Sequence, residues 1–325
     1  MAEIFADEID FNQYMRETDA MAKVKAAKLW MEDLKLKLRT HSTEKRALLP
    51  WEKVSGEFDF KKGEVTVWGG VNGHGKSLVT SQVALSLMGQ EEKVCIASFE
   101  MKPMKTLERM ARMYNKYNPY SPEFQCDQGL AAIDALYDEF GGWSDNLLWL
   151  YDQQGTTDTS LVIGMARYCA KELKIDHIFI DNIAKCVRNE DDYNGQKAFV
   201  EEMCAIAKDY NCHIHLVHHM RKGSKETDPL DKNDFKGSGS IADQPDNLIG
   251  VWRNKAKELE AKTGGSTKKD EPDTTLRVFK QRNANGIGDG EPLIFLWFDR
   301  DSWQFVGEKG AAPMSFYAKF PHRAA

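Results

Sequence analysis

The stretch "GGVNGHGKS", residues 69–77, constrains this chain more than any other. Gly70, four further residues and then Gly75-Lys76-Ser77 spell the G-x4-G-K-S phosphate-loop pattern, and the context fits. The β-rich run "EVTVW" precedes it and a helical run follows. Glycines at 70, 73 and 75 let the backbone turn tightly, so that successive N–H groups form a nest for anionic oxygens. The N-terminus of the next helix adds its positive end. Lys76 is then expected at the β and γ phosphates and Ser77 at Mg²⁺. Gly70, Gly73, Gly75, Lys76, Ser77 and Leu78 are the expected nucleotide-holding residues.

Beyond this loop, short apolar runs alternate with helical stretches. "KVCIASFE", "LLWLYD", "HIFIDN" and "CHIHLVHH" read as strands, with helices around 76–88, 103–117, 158–173 and 194–210. Strands separated by helical connections predict an α/β domain, a mostly parallel twisted sheet with helices on both faces. After residue 246 the rhythm becomes strand after strand ("NLIGVW", "TTLRVFKQR", "PLIFLWF"), which predicts antiparallel additions at one edge. Residues 254–273, charged and carrying Gly-Gly, read as a solvated loop. The expected division is an N-terminal arm at 1–49, the ATPase domain at 50–307 and a flexible tail at 308–325.

Residues 11–39 read as a helix, because Ala20, Val24, Ala27, Met31, Leu34 and Leu38 recur along one face. Pattern alone leaves open whether that stripe packs on its own domain or on a neighbouring subunit. No stretch approaches the roughly 20 apolar residues of a membrane helix, and the first twenty residues carry no secretory apolar run. A cytoplasmic protein with no membrane partner is the expectation. The six cysteines stand singly, without C-x-x-C pairs, and read as reduced thiols. A net charge of −6 argues against a wholly basic nucleic-acid surface, so any DNA contact must be concentrated in local loops.

A phosphate loop needs a carboxylate on the Mg²⁺ side at the end of a neighbouring strand, and Asp181 in "HIFIDN" supplies it. Glu100 ends the strand after the P-loop helix and is the candidate to orient water. "HIHLVHHM", residues 213–220, packs four of the chain's eight histidines together. On a strand His213 and His215 share a face with Val217 and His219, while His218 lies opposite, which is poor geometry for a metal cluster. Lys280 and Arg282 lie two apart on a strand and share a face.

Taken in order, Gly70 to Ser77, "ASFEMKPMKTLERM", "FIDN", "VHHMRK", "DFKGSGSIADQPDNLIGVWRN" and "LRVFKQRNANGIG" resemble hexameric replicative helicases of the DnaB type. The likeness is greatest to the helicase half of phage primase-helicases and of mitochondrial Twinkle, and it covers about residues 50–307. It implies a RecA-like P-loop core with an N-terminal linker helix, ATP and Mg²⁺ as cofactors, and a homo-hexameric ring around single-stranded DNA that unwinds DNA during replication. Under this resemblance Glu100 is the catalytic glutamate and Asp181 the Walker B aspartate. Lys280 and Arg282 are basic residues offered to a neighbour's γ-phosphate, Arg282 being the arginine finger, and Phe298 is the aromatic that stacks on the base. His219 falls where these helicases sense the γ-phosphate and signal to the DNA loop that follows.

That loop supplies the DNA-binding candidates Arg221, Lys222, Lys225, Lys236, Gly237, Ser238 and Gly239, although Glu226, Asp228, Asp231 and Asp234 nearly cancel its charge. No primase module, zinc-type cysteine cluster or full N-terminal domain occurs among these residues, so the Ala20 to Leu38 stripe is the natural ring contact. A separate primase, polymerase or loader is an expected partner. Two other readings share the core: a RecA or RadA type recombinase, and an ATP-switched DNA-binding assembly factor. "NKAK" at 254–257 lacks the aspartate of the guanine-reading N-K-x-D pattern, which favours ATP over GTP.

Overall fold

The computed structural model describes residues 27–40, 46–51, 58–187, 192–220, 230–231, 234–235, 241–265, 267–283 and 292–317. Helix α1 (Ala27–Thr40) comes first. It exposes Trp30, Met31, Leu34, Leu36 and Leu38, so its apolar stripe faces away from the chain's own core. Residues 11–26 of the expected helix lie outside the described residues. A small antiparallel pair follows, β1 (Ala47–Leu48) and β2 (Asp59–Phe60).

The body is built by β3 (Val65–Gly70), α2 (Lys76–Gly89), β4 (Val94–Ser98), α3 (Pro103–Asn115), α4 (Asp127–Ser144), β5 (Leu148–Tyr151), α5 (Thr159–Lys171), β6 (His177–Asp181), α6 (Tyr193–Tyr210) and β7 (His213–His219). It is completed by β8 (Asn247–Arg253), α7 (Lys255–Lys262), β9 (Thr274–Gln281), β10 (Leu293–Phe298) and β11 (Phe305–Val306). Nine strands form one sheet in the order β11-β10-β9-β8-β3-β7-β6-β4-β5. From β8 to β5 every pairing is parallel, and β9, β10 and β11 add antiparallel at one edge.

Alternation along the strands divides the core in two. Val65, Val67, Ile178, Ile180, Ile214 and Leu216 turn to one face, where Val162 and Met165 of α5 and Phe199 and Met203 of α6 cover them. Trp68, Ile96, Phe179, Val217 and Ile249 turn to the other and meet Val83 and Leu87 of α2, Met110 of α3 and Phe140 of α4. Each strand is therefore apolar on both sides, which is why the runs look continuous in sequence. Truncating a ring held this way, as in Phe199→Ala, costs about 3–5 kcal/mol.

Three segments differ from the sequence expectation. Helix α4 occupies a stretch left unassigned between residues 118 and 147, with Phe140 buried and most of its surface exposed. Residues 255–262 of the expected loop form α7, because the Asn254 side chain accepts a hydrogen bond from the Lys257 N–H at 3.0 Å and caps the first turn. Residues 308–317 pack on the body. Gln304 and Met314 exchange two hydrogen bonds, of 3.0 and 2.9 Å, and Phe316 is buried so tightly that a Cβ at Gly89 would collide with its carbonyl. No helix among the described residues is long and apolar enough to cross a membrane.

Candidate nucleotide site

The site lies at the C-terminal edge of the parallel strands. β3 runs into the loop at Gly70, and Gly73 and Gly75 adopt φ of 78° and 83°, left-handed values that suit glycine alone. Gly75 is the N-cap of α2 and makes no side-chain cap, and the first turn carries no acidic residue. The helix therefore opens with backbone donors and nothing negative against them, the arrangement an anion needs. Lys76 is buried and donates to the carbonyls of Gly70 (2.9 Å) and Val71 (3.1 Å). Burial pulls its pKa down to about 8, against the opposing attraction of Asp181 and Glu100.

Strand order brings the carboxylates to this loop. β4 and β6 are neighbours in register, Ser98 beside Asp181, so Glu100 and Asp181 leave the same edge of the sheet. Asp181 is buried, and its pKa is raised chiefly by burial, with a hydrogen bond from the Ser77 hydroxyl pulling the other way. Its Oδ1 is buried without a hydrogen-bond partner. A hydroxyl oxygen beside a carboxylate with one uncommitted buried oxygen is a donor set that fits Mg²⁺.

Glu100 is held from two sides. The Asn182 side-chain amide donates to its Oε1 at 2.5 Å, and His219 Nε2 lies 3.2 Å from the same oxygen. Asn182 Oδ1 accepts from the Lys185 N–H at 3.2 Å, which fixes the amide with its NH₂ toward Glu100. His219 Nδ1 is buried and makes no hydrogen bond. Burial lowers the His219 pKa, Lys76 lowers it further and Glu100 opposes both, so the ring is neutral at pH 7.

A cavity of about 370 Å³ adjoins the loop at Gly75. Leu78 and Phe298, both expected in the nucleotide site, line it together with His74, Arg253, Arg300, Trp303 and Phe305. Phe298 and Phe305 lie with ring centres 5.2 Å apart, and the Arg112 guanidinium sits 4.2 Å over Trp303, which fixes the wall.

Lys280 and Arg282 do not join this cluster. Gln281 pairs with Asn247, and Asn247 with Thr66, so the end of β9 is level with the start of β3 and opposite to the P-loop edge. Arg282 is level with Val65, five strand steps from Gly70 or roughly 17 Å at about 3.3 Å per residue. It donates to Asp246 Oδ1 at 3.1 Å, and Lys280 donates to the carbonyls of Ala242 and Asp243 at 3.2 and 2.7 Å. The DNA-binding candidates Arg221, Lys222, Lys225, Lys236, Gly237, Ser238 and Gly239 lie outside the described residues.

The AAA domain family matches residues 54–225, more than half of the chain. The chain belongs to the AAA domain family. Solved structures agree on the fold. A helicase ATPase domain solved as a separate unit is similar at a TM-score of 0.69 and 12% identity, over 87% of this chain and 99% of that one. A DnaB-like replicative helicase, described with its interactions with primase, is similar at a TM-score of 0.65 and 12% identity, over 87% of this chain and 67% of that one. The fold is thus the RecA-like one of DnaB-like helicase ATPase domains.

This AAA domain brings together further groups that sequence reasoning missed. Asn182 follows Asp181 directly, but nothing in a pattern tells an amide that orients a carboxylate from one that caps a turn. Arg109 on α3 sends its guanidinium into the protein near Asp181; Nη1 is buried without a hydrogen-bond partner and Nη2 lies 3.1 Å from Met101 Sδ. Arg253, Arg300 and Trp303 come from two separate segments and meet only in the cavity wall. The remaining histidines are structural. His213 Nδ1 donates to the Lys61 carbonyl at 2.7 Å while its Nε2 takes the Thr66 hydroxyl at 2.8 Å. His215 Nδ1 accepts from Trp68 at 3.3 Å, leaving Nε2–H for His177 Nδ1 at 3.1 Å. Among the described residues no His, Cys, Asp and Glu group is arranged to hold a metal ion on its own.

Proposed function

We propose that this chain is the subunit of a ring-shaped, ATP-dependent DNA helicase that translocates on single-stranded DNA during replication and hydrolyses ATP where subunits meet. The observation that carries the reading is the split of the site. Lys76, Ser77, Asp181, Glu100 and His219 gather at one edge of the sheet, whereas Lys280 and Arg282 occupy the opposite edge and belong to a second site. A chain divided in this way supplies half of each of two nucleotide sites, which suits a closed homo-hexamer. The likeness to a DnaB-like replicative helicase supports DNA as the track and a primase as a partner; a polymerase or loader is a further candidate.

In this reading the backbone donors of the loop and Lys76 hold the β and γ phosphates, and the base enters the cavity against Phe298 and Leu78. Mg²⁺, held by Ser77 and Asp181, would neutralise charge developing on the phosphate oxygens. Glu100, oriented by Asn182, aligns the attacking water and takes its proton. Arg282 of the neighbouring subunit reaches the γ-phosphate, a contact typically worth about 10³–10⁵ in rate. His219 trades its Glu100 contact for a phosphate oxygen while the triphosphate is present and regains it after hydrolysis, which passes the nucleotide state to the chain beyond Met220. There Arg221, Lys222, Lys225, Lys236 and the Gly237-Ser238-Gly239 run would hold DNA phosphates.

A forked-duplex assay tests the reading. Strand displacement with ATP is expected; pairing of homologous strands would identify a recombinase, and neither activity an ATP-switched assembly factor. Lys76→Ala should abolish hydrolysis, and Arg282→Ala should keep nucleotide binding and lose turnover. Mixing the two inactive proteins should restore ATPase, and no recovery in demonstrably mixed oligomers would refute the trans role of Arg282.

A further inference from the structure

We infer that Asp246 is the positioning residue of Arg282 and couples it to the strand that carries the phosphate loop of the same subunit. The inference rests on the proposal that Arg282 serves a neighbour's site. Asp246 sits between β9 and β3 with 4% of its surface exposed, and both carboxylate oxygens are committed. Oδ1 accepts from Arg282 Nη1 at 3.1 Å, and Oδ2 accepts from the Val65 N–H at 3.1 Å. The main chain repeats the link, since the Arg282 N–H donates to the Asp246 carbonyl at 2.9 Å and the Asp246 N–H to the Val65 carbonyl at 3.0 Å.

The rest of the guanidinium is fixed as well. Nη2 donates to the carbonyls of Asp243 (3.1 Å) and Gln244 (3.2 Å), so the planar fork is gripped on two edges while 43% of the side chain remains exposed. An arginine that only had to stay soluble would not need a buried carboxylate, which is costly to desolvate and is stabilised here by an N–H on one side and a cation on the other. The chain spends that burial on fixing the direction of one exposed cation. A finger must meet a phosphate oxygen within a few tenths of an ångström, and a pre-oriented one loses less side-chain entropy on doing so. Because Oδ2 and the Asp246 N–H hold Val65, the first residue of β3, and β3 ends at Gly70, a shift of the phosphate loop along its strand is transmitted to the arginine shown to the next subunit.

The test is Asp246→Asn, measured as steady-state ATPase with nucleotide affinity determined separately. The expected result is a loss in kcat of at least about tenfold with KM and nucleotide affinity within twofold of the parent, since the variant's own phosphate site is intact. Mixing with Lys76→Ala should restore turnover, because the Lys76→Ala subunit presents a correctly held Arg282 to the intact site of the Asp246→Asn subunit. Unchanged kcat, or failure of this mixture where Arg282→Ala plus Lys76→Ala succeeds, would overturn the inference and leave the trans reading standing. Failure of both mixtures refutes the trans reading itself. Should Asp246→Asn not fold, Arg282→Lys asks the same question: lysine keeps the charge but cannot span Asp246 and the two carbonyls together. Full turnover in Arg282→Lys overturns the inference, and a comparable loss of kcat at unchanged KM, complemented by Lys76→Ala, supports it.

Discussion

Asn182 donates its side-chain amide to Glu100 across 2.5 Å, from a position with no exposed surface, directly after Asp181. The residue after the metal-side carboxylate thereby orients the carboxylate proposed to align water, and two strands that pair in register deliver both. Replacing Asn182 with Ala frees Glu100 to swing toward solvent, where much of its side chain already lies. A hydrogen bond to a charged group is worth about 1.5–3 kcal/mol, so kcat should fall roughly tenfold to a hundredfold at unchanged nucleotide affinity. Asn182→Asp should lower it further, because a second carboxylate would face Glu100. Single-turnover hydrolysis measures the effect; parental turnover in both variants would remove Asn182 from the site.

Lys76 supplies a pH dependence in the alkaline range. Its pKa before nucleotide binds is pulled down to about 8 by burial, and phosphate oxygens would raise it in the complex. The protonated form is the one that binds, so affinity should be flat below pH 8. It should then weaken as pH rises, by up to about tenfold per unit until the pKa of the complex is reached. Equilibrium binding of a non-hydrolysable nucleotide between pH 7 and 9.5 reads this slope. Lys76→Arg should bind without the slope, because guanidinium keeps its proton throughout.

How much of this was legible in sequence depends on whether the information was local. The phosphate loop reads directly, because the glycine spacing, the strand before it and the helix after it are contiguous. Asp181 and Glu100 read as strand-end carboxylates, but only the β4–β6 register places them together. The histidine run resolved correctly into two faces, since strand alternation is a local rule; that His177 from another strand completes the buried network is a matter of register. The cavity beside Gly75 was legible only at Leu78 and Phe298, because its other walls come from distant segments that the closing antiparallel strands bring in. Helix α4 escaped because it buries little along its length, and α7 because charge and a Gly-Gly pair outweighed the Asn254 cap. The Asp246–Arg282 pair was invisible for the same reason as the cavity: 36 residues separate the partners.

Phe298 and Trp303 should govern affinity rather than turnover. Stacking of an aromatic on a base is worth about 1–3 kcal/mol, and the cavity adjoins the loop on the side of Gly75, away from Glu100. Phe298→Ala is therefore expected to raise KM for ATP about tenfold while leaving kcat within about twofold, the signature of binding lost equally in ground and transition states. Trp303→Ala should act in the same direction by releasing Arg112 from the wall. A fall in kcat at constant KM would place the cavity in the chemistry instead of in base recognition.

The buried histidines make the fold acid-sensitive in a definite window. Burial lowers the pKa of His213 and of His218 to about 4 and that of His215 well below its ordinary value, while all three return to about 6.5 when unfolded. The unfolded chain therefore binds protons that the folded one refuses as pH drops below about 6.5. Stability is unaffected above that pH and falls steadily toward pH 4. A displacement of some 2.5 pH units corresponds to about 3 kcal/mol per group at the low end. Urea midpoints measured between pH 7.5 and 4.5 should decline below pH 6.5. His213→Asn is the informative variant: it loses the hydrogen bonds to Lys61 and Thr66 and should be less stable at pH 7.5, yet its midpoint should fall less steeply with acid because one refused proton is gone. An unchanged slope would mean that His213 takes up its proton in the folded state without penalty, against the burial that surrounds it.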